Sequence, residues 1–99
     1  MKFITLLFFG LMVVSTAVGQ TVSGIISDAA KQPIIGASVE VLNSSLGTIS
    51  DEDGQYSVVL PPGQYKVRFL YLGYIPVTKD VTISSGSLEL NVTMEEDIL

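Results

Sequence analysis

Gly47-Thr48-Ile49-Ser50-Asp51-Glu52-Asp53-Gly54-Gln55-Tyr56 is the stretch on which the fold of this chain turns. A short uncharged run, an acidic cluster, a glycine and an aromatic follow one another in the order strand, turn, strand. Asp53-Gly54 is a strong short-range turn signal, because glycine takes positive φ without steric cost and the Asp side chain bonds nearby backbone amides. Beyond the turn, Tyr56, Val58 and Leu60 fall on one face of an extended chain, and Gln55, Ser57 and Val59 on the other. The stretch therefore predicts a hairpin with one face packed on a core.

The same alternation runs outward in both directions. Upstream, Thr21 to Ser27 reads as a first strand closed by a polar run to Pro33. Gly36 then opens a second strand, Ala37 to Leu42, with Ala37, Val39 and Val41 inward. A loop at Asn43 to Ser45 leads to a third strand, Leu46 to Ser50, ahead of the acidic turn. The fourth, Gln55 to Leu60, stops at Pro61-Pro62-Gly63, since proline has no amide to donate and Pro-Gly favours reversal. In the fifth, Gln64 to Leu72, Tyr65, Val67, Phe69 and Tyr71 share one face, so Tyr65 and Tyr71 read as core, and Gly73 breaks the strand. Tyr74 falls out of register and is the aromatic expected to be exposed. A sixth strand covers Ile75 to Ile83, with Pro76 near its start. The seventh, Leu88 to Met94, sends Leu88, Leu90, Val92 and Met94 inward. Seven short strands without an amphipathic helix predict an all-β sandwich of two antiparallel sheets.

The first 19 residues stand apart from this pattern. Lys2, an apolar run from Phe3 to Val14, and the small residues Ala17 and Gly19 fit a secretory leader cleaved before Gln20. The uncharged run to Val18 is short for a membrane span of roughly 20 residues. Export follows, with residues 1–19 as signal peptide, 20–94 as the sandwich and 95–99 as an acidic exit segment.

Composition narrows the chemistry. Without the leader, four basic residues (Lys31, Lys66, Arg68, Lys79) face ten carboxylates, a formal net charge of −6 with no basic cluster, which opposes nucleic-acid binding. The chain has no His and no Cys. Imidazole-assisted nucleophilic catalysis and nearly all zinc, copper and haem ligation are thereby excluded, as is a lipid anchor at the cleavage site. No catalytic residue and no cofactor is assigned. Asp51, Glu52 and Asp53 invite a calcium reading, but setting Gly54 at the sixth position of an EF-hand loop puts Ile49 first and Leu60 twelfth, where the loop needs carboxylates. A looser calcium site at that turn stands beside the plainer reading of a solvated tip. Two glycosylation sequons, at Asn43 and Asn91, would mean nothing if the protein were bacterial.

The motifs Val22-Ser23-Gly24-Ile25-Ile26-Ser27-Asp28, Pro33-Ile34-Ile35-Gly36-Ala37-Ser38-Val39, Gly47 to Tyr56, Gly63-Gln64-Tyr65 and Tyr71-Leu72-Gly73-Tyr74 resemble, in order, the carboxypeptidase-regulatory-like domain. The likeness covers essentially the whole chain after the leader. It implies a seven-stranded, Greek-key, transthyretin-like (prealbumin-like) sandwich, with Gly36, Asp51, Gly54, Tyr56, Pro62, Gly63, Tyr65, Gly73 and Tyr74 as its structural motif. Such domains follow the signal peptide of SusC/RagA-type TonB-dependent outer-membrane receptors, best known from Bacteroidota. The resemblance implies a non-catalytic periplasmic interaction domain with protein partners, tied to the membrane only through a downstream barrel. The acidic residues after Met94 resemble the linker of such receptors, and the chain reads to Leu99 without plug or barrel. The alternative is a stand-alone secreted sandwich that binds carbohydrate, peptide or protein through the loops holding Asp51, Glu52, Asp53 and Tyr74.

Overall fold

The computed structural model of the protein describes residues 19–98. The expected leader lies, apart from Gly19, outside the described residues, and so does Leu99. Among the described residues the fold is all β: β1 Gln20–Ser27, β2 Ser38–Val41, β3 Gly47–Ile49, β4 Gln55–Leu60, β5 Gly63–Leu70, β6 Val77–Ile83, β7 Leu88–Glu89 and β8 Val92–Thr93. One sheet has β1 at its centre, flanked by β4 on one side and by β7 and β8 on the other. The second sheet runs β3-β2-β5-β6.

The two inner faces make the core, and the period-2 pattern explains which residues they hold. Val22, Ile26, Tyr56, Val58, Leu60, Val92 and Met94 meet Val39, Val41, Val67, Phe69, Val81 and Ile83, all buried. Each such burial is worth about 1.5–3 kcal/mol. The Tyr56 and Phe69 rings pack edge to face across the sheets, centroids 5.4 Å apart. Gln55, Ser57 and Val59 point outward as the alternation requires.

The hairpin expected at Asp53-Gly54 is not one. β3 and β4 lie in different sheets, so Ser50 to Gly54 is a crossing from one layer to the other. The local turn chemistry is nonetheless present: Gly54 has φ +74°, and the Asp51 carboxylate caps the loop. A turn signal reports where the chain bends, however, and not which sheet its next strand joins. The chain changes layers again at Pro61-Pro62, and among the described residues only β2–β3 and β5–β6 are hairpins.

The last strand departs from the antiparallel expectation. It pairs parallel with β1, Val22 opposite Leu88 and Ile26 opposite Val92, and it is split in two. Gly24 accounts for the split. The Leu90 carbonyl passes over it so closely that a Cβ at position 24 would sit 2.0 Å from that oxygen. Two side chains bridge the gap: Asn91 Oδ1 accepts the Ile25 N–H at 2.9 Å, and the Tyr56 hydroxyl donates to the Leu90 carbonyl at 2.5 Å.

Two further expectations are corrected around Gly73. β5 ends at Leu70, and Tyr71 is exposed rather than core. Tyr74, expected outside, is half-buried and packs on the core, with its ring centroid 5.6 Å from that of Tyr71. Gly73, at φ +86°, redirects the chain between them, which is why the strand register cannot be carried through it. β6 accordingly starts at Val77 and not at Ile75.

Candidate interaction surfaces

Because the first and last strands run in the same direction, the chain enters the sandwich at one end and leaves it at the other. The end where β1 starts, the amino pole, holds the turns at 42–46, 61–62 and 84–87. The carboxyl pole gathers four loops. In the first, Asp28 Oδ1 accepts the N–H groups of Ala30 and Gln32, both at 2.9 Å, and Ser27 bridges to Pro33. The Ser50 to Gly54 crossing is tied to that loop by Ser50, whose buried hydroxyl donates to the Ile34 carbonyl at 2.6 Å and accepts the Ala37 N–H at 2.9 Å. Gly36, at φ +82°, donates its N–H to the Ser50 carbonyl.

The third and fourth loops hold one another. Ile75 N–H donates to the Glu95 carbonyl at 2.8 Å, Asp97 N–H donates to the Gly73 carbonyl at 2.9 Å, and Tyr74 bridges to Glu96. The acidic segment after Met94 is thus held, over Glu95 to Asp97, as a strand-like clasp on the β5–β6 loop. Alternation of hydropathy gave no hint of it, since backbone bonds alone hold it.

The chemistry of the two poles differs sharply. Asp28, Asp51, Glu52, Asp53, Glu95, Glu96 and Asp97 lie at the carboxyl pole against one lysine, Lys31. The amino-pole turns carry no charged side chain. Elsewhere two ion pairs form, Lys66 with Asp80 at 2.7 Å and Arg68 with Glu40 at 2.9 Å, on the outer face of the β3-β2-β5-β6 sheet. The acidic pole also exposes large apolar side chains, with Leu72 95% and Ile98 81% accessible beside Ile35, Tyr71 and Ile75. Burial, then the carboxylates of Glu96 and Asp28, and then Tyr71 push the Tyr74 hydroxyl above its ordinary range.

A family model for the carboxypeptidase regulatory-like domain matches residues 21–95. The chain belongs to that family. Among curated proteins, the regulatory-like domain is 33% identical over 99 residues to a TonB-dependent receptor of Formosa agariphila, a match covering 99% of the chain and 9% of the receptor. It is 32% identical over 98 residues to the TonB-dependent receptor SusC of Bacteroides thetaiotaomicron, covering 97% of the chain and again 9% of the relative. The chain therefore spans about a tenth of the length of these relatives. Among solved structures, a cohesin–X-dockerin complex of Acetivibrio cellulolyticus aligns with a TM-score of 0.69 at 23% identity, over 79% of this chain and 58% of that one. At that identity the likeness speaks for the sandwich fold alone.

The residues that the resemblance assigns to the structural motif divide between the poles. Gly36, Asp51, Gly54, Gly73 and Tyr74 come together at the carboxyl pole as hinges and caps of its loops. Pro62, Gly63 and Tyr65 sit at the other end, where the Tyr65 hydroxyl donates to the Pro61 carbonyl at 2.7 Å. Tyr56 is inside, its hydroxyl pushed up to about 12 by burial. Asp51 Oδ1 is occupied by the N–H groups of Asp53 and Gln55, each at 2.9 Å, while Glu52 and Asp53 are exposed. Among the described residues no three acidic side chains are placed to hold a metal ion. Sequence reading missed Ser50, Gly24 and Asn91. A lone buried Ser beside a turn, a Gly inside a strand and an Asn between alternating leucine and valine are weak signals, of which the strand glycine is the most readable.

Proposed function

We propose that this regulatory-like domain is a non-catalytic interaction module on the periplasmic side of a TonB-dependent outer-membrane receptor, and that it engages a protein partner through its carboxyl pole. The observation that carries the reading is the match of nearly the whole chain to two TonB-dependent receptors some tenfold longer. The chemistry of the pole supports it: exposed Leu72, Ile75, Ile35 and Ile98 within an acidic surround fit a partner that presents apolar side chains among basic ones. The absence of His and Cys from the sequence and the crowding of carboxylates at an exposed end support the non-catalytic part of that reading.

The test is made in the source organism. The locus is sequenced beyond the Leu99 codon, and codons 20–95 are then deleted in frame. The expected result is a receptor barrel encoded in the same reading frame, which reaches the outer membrane at its normal level after deletion but supports slower growth on its nutrient. A locus without a receptor, or undiminished growth after deletion, would overturn the proposal.

A further inference from the structure

The sheet built on β1 ends in β4, and the hydrogen-bond directions along β4 can be read residue by residue. Gly54 turns its carbonyl to β1, where it accepts the Ile26 N–H at 2.8 Å, while Gln55 turns away and exchanges bonds with Asp51. By the alternation of an antiparallel ladder, Tyr56, Val58 and Leu60 bond β1. The N–H and C=O groups of Ser57 and Val59 therefore face outward along an edge that pairs with no strand among the described residues.

The edge strand β6 of the other sheet is guarded and this one is not. β6 places Lys79 in the inward register opposite Val67 and carries Asp80 beside it, and an inward-pointing charge is a recognised block to edge pairing. β3 has three residues, and β7 and β8 two each. β4 has six residues with neither charge nor proline. Exposed apolar groups flank it: Val59 is 57% accessible and Ile49 is 63% accessible, the latter in an open trough of about 550 Å³ that Gln55 and Ser57 share with the carboxylates of Asp51 and Glu89.

We propose that β4 pairs with β4 of a second copy of this chain, antiparallel about a two-fold axis through Val58. In that register Ser57 of each copy lies opposite Val59 of the other as a hydrogen-bonded pair, so every open backbone group of both edges is satisfied. Charge selects the same arrangement. Antiparallel pairing sets the acidic carboxyl pole of each copy beside the uncharged amino pole of its mate, whereas parallel pairing would bring two Asp51 to Asp53 loops together. Neutral edges and segregated charge favour a second copy as the occupant. The dimer joins the β1-centred sheets of two molecules into one continuous sheet and leaves both carboxyl poles free, so it stands or falls apart from the receptor reading.

Sedimentation equilibrium of the exported, purified chain from micromolar to millimolar concentration tests the proposal. The native chain is expected to double its mass with rising concentration. Ser57→Pro, which removes an outward N–H and no bond to β1, is expected to remain monomeric, while Leu72→Ser at the carboxyl pole dimerises as the native chain does. Because the chain has no cysteine, Ser57→Cys and Val59→Cys variants can be mixed and oxidised, and the mixture should give a disulfide-linked heterodimer in several-fold excess over either variant alone. That pair decides the register even if Ser57→Pro fails to fold. A native chain that is monomeric throughout, a dimer that Leu72→Ser abolishes, or no excess of heterodimer would overturn the proposal.

Discussion

The two flanks of β1 solve the same problem in different ways. On one side β4 pairs with it without interruption from Gln20–Leu60 to Ile25–Gln55. On the other, β7 and β8 each manage two residues, and between them the backbone lifts over Gly24. The continuous flank is held by backbone ladder bonds alone, while the broken one relies on Asn91 and Tyr56 to complete its bonding. The difference teaches that the parallel junction, which fixes where the chain leaves, depends on particular side chains, whereas the antiparallel one depends on pattern.

The sharpest way to break that contrast is Gly24→Ala. A methyl group 2.0 Å from the Leu90 carbonyl forces the backbone aside, at an expected cost of about 3 kcal/mol in urea unfolding. Hydrogen exchange should then show lost protection at Leu90 and Val92 with protection retained along β4. Gly54→Ala strikes the other flank, where φ +74° and a Cβ placed 2.6 Å from the Ile26 carbonyl predict about 2 kcal/mol of destabilisation by the same measurement.

Tyr56→Phe removes one of the two bridging side chains and is expected to cost about 1 kcal/mol. Its signature lies in pH. The folded state holds the phenolic proton to about 12 and the unfolded chain only to 10.0, so native stability is complete below pH 10 and falls as pH rises from there towards 12. The Phe variant should lack the part of that alkaline loss due to Tyr56, read from unfolding midpoints across the range. Asn91→Ala leaves the exposed Ile25 N–H to water and should cost least, about 0.5 kcal/mol, with faster exchange at Ile25 as its local reporter.

Much of this architecture was legible beforehand, and the failures share one cause. Inward faces at Ala37, Val39 and Val41, at Tyr56, Val58 and Leu60, and at Val92 and Met94 follow from alternation, which is a local property. Partner choice is not local. Asp53-Gly54 announces a bend, but the buried Ser50 hydroxyl, bonded to Ile34 and Ala37 more than a dozen residues away, ties that bend into a layer crossing. Tyr71 and Tyr74 exchanged their expected places because the strand pattern was extended up to Gly73, although pairing with β2 and β6 stops at Leu70 and Phe69. At the carboxyl pole the glycines and Asp51 were visible as motif residues. Their convergence with the acidic tail was not, since the Gly73 and Glu95 carbonyls that hold it look the same in any sequence.

The parallel alignment of β1 with β7 and β8 carries a mechanical meaning. A load drawn between Gln20 and Glu95 runs along these strands in shear, so the bonds at Val22–Leu88, Ile25–Asn91 and Ile26–Val92 must yield together and cannot peel apart in succession. Under such a load this junction would resist by shear, where an antiparallel hairpin would unzip one bond at a time.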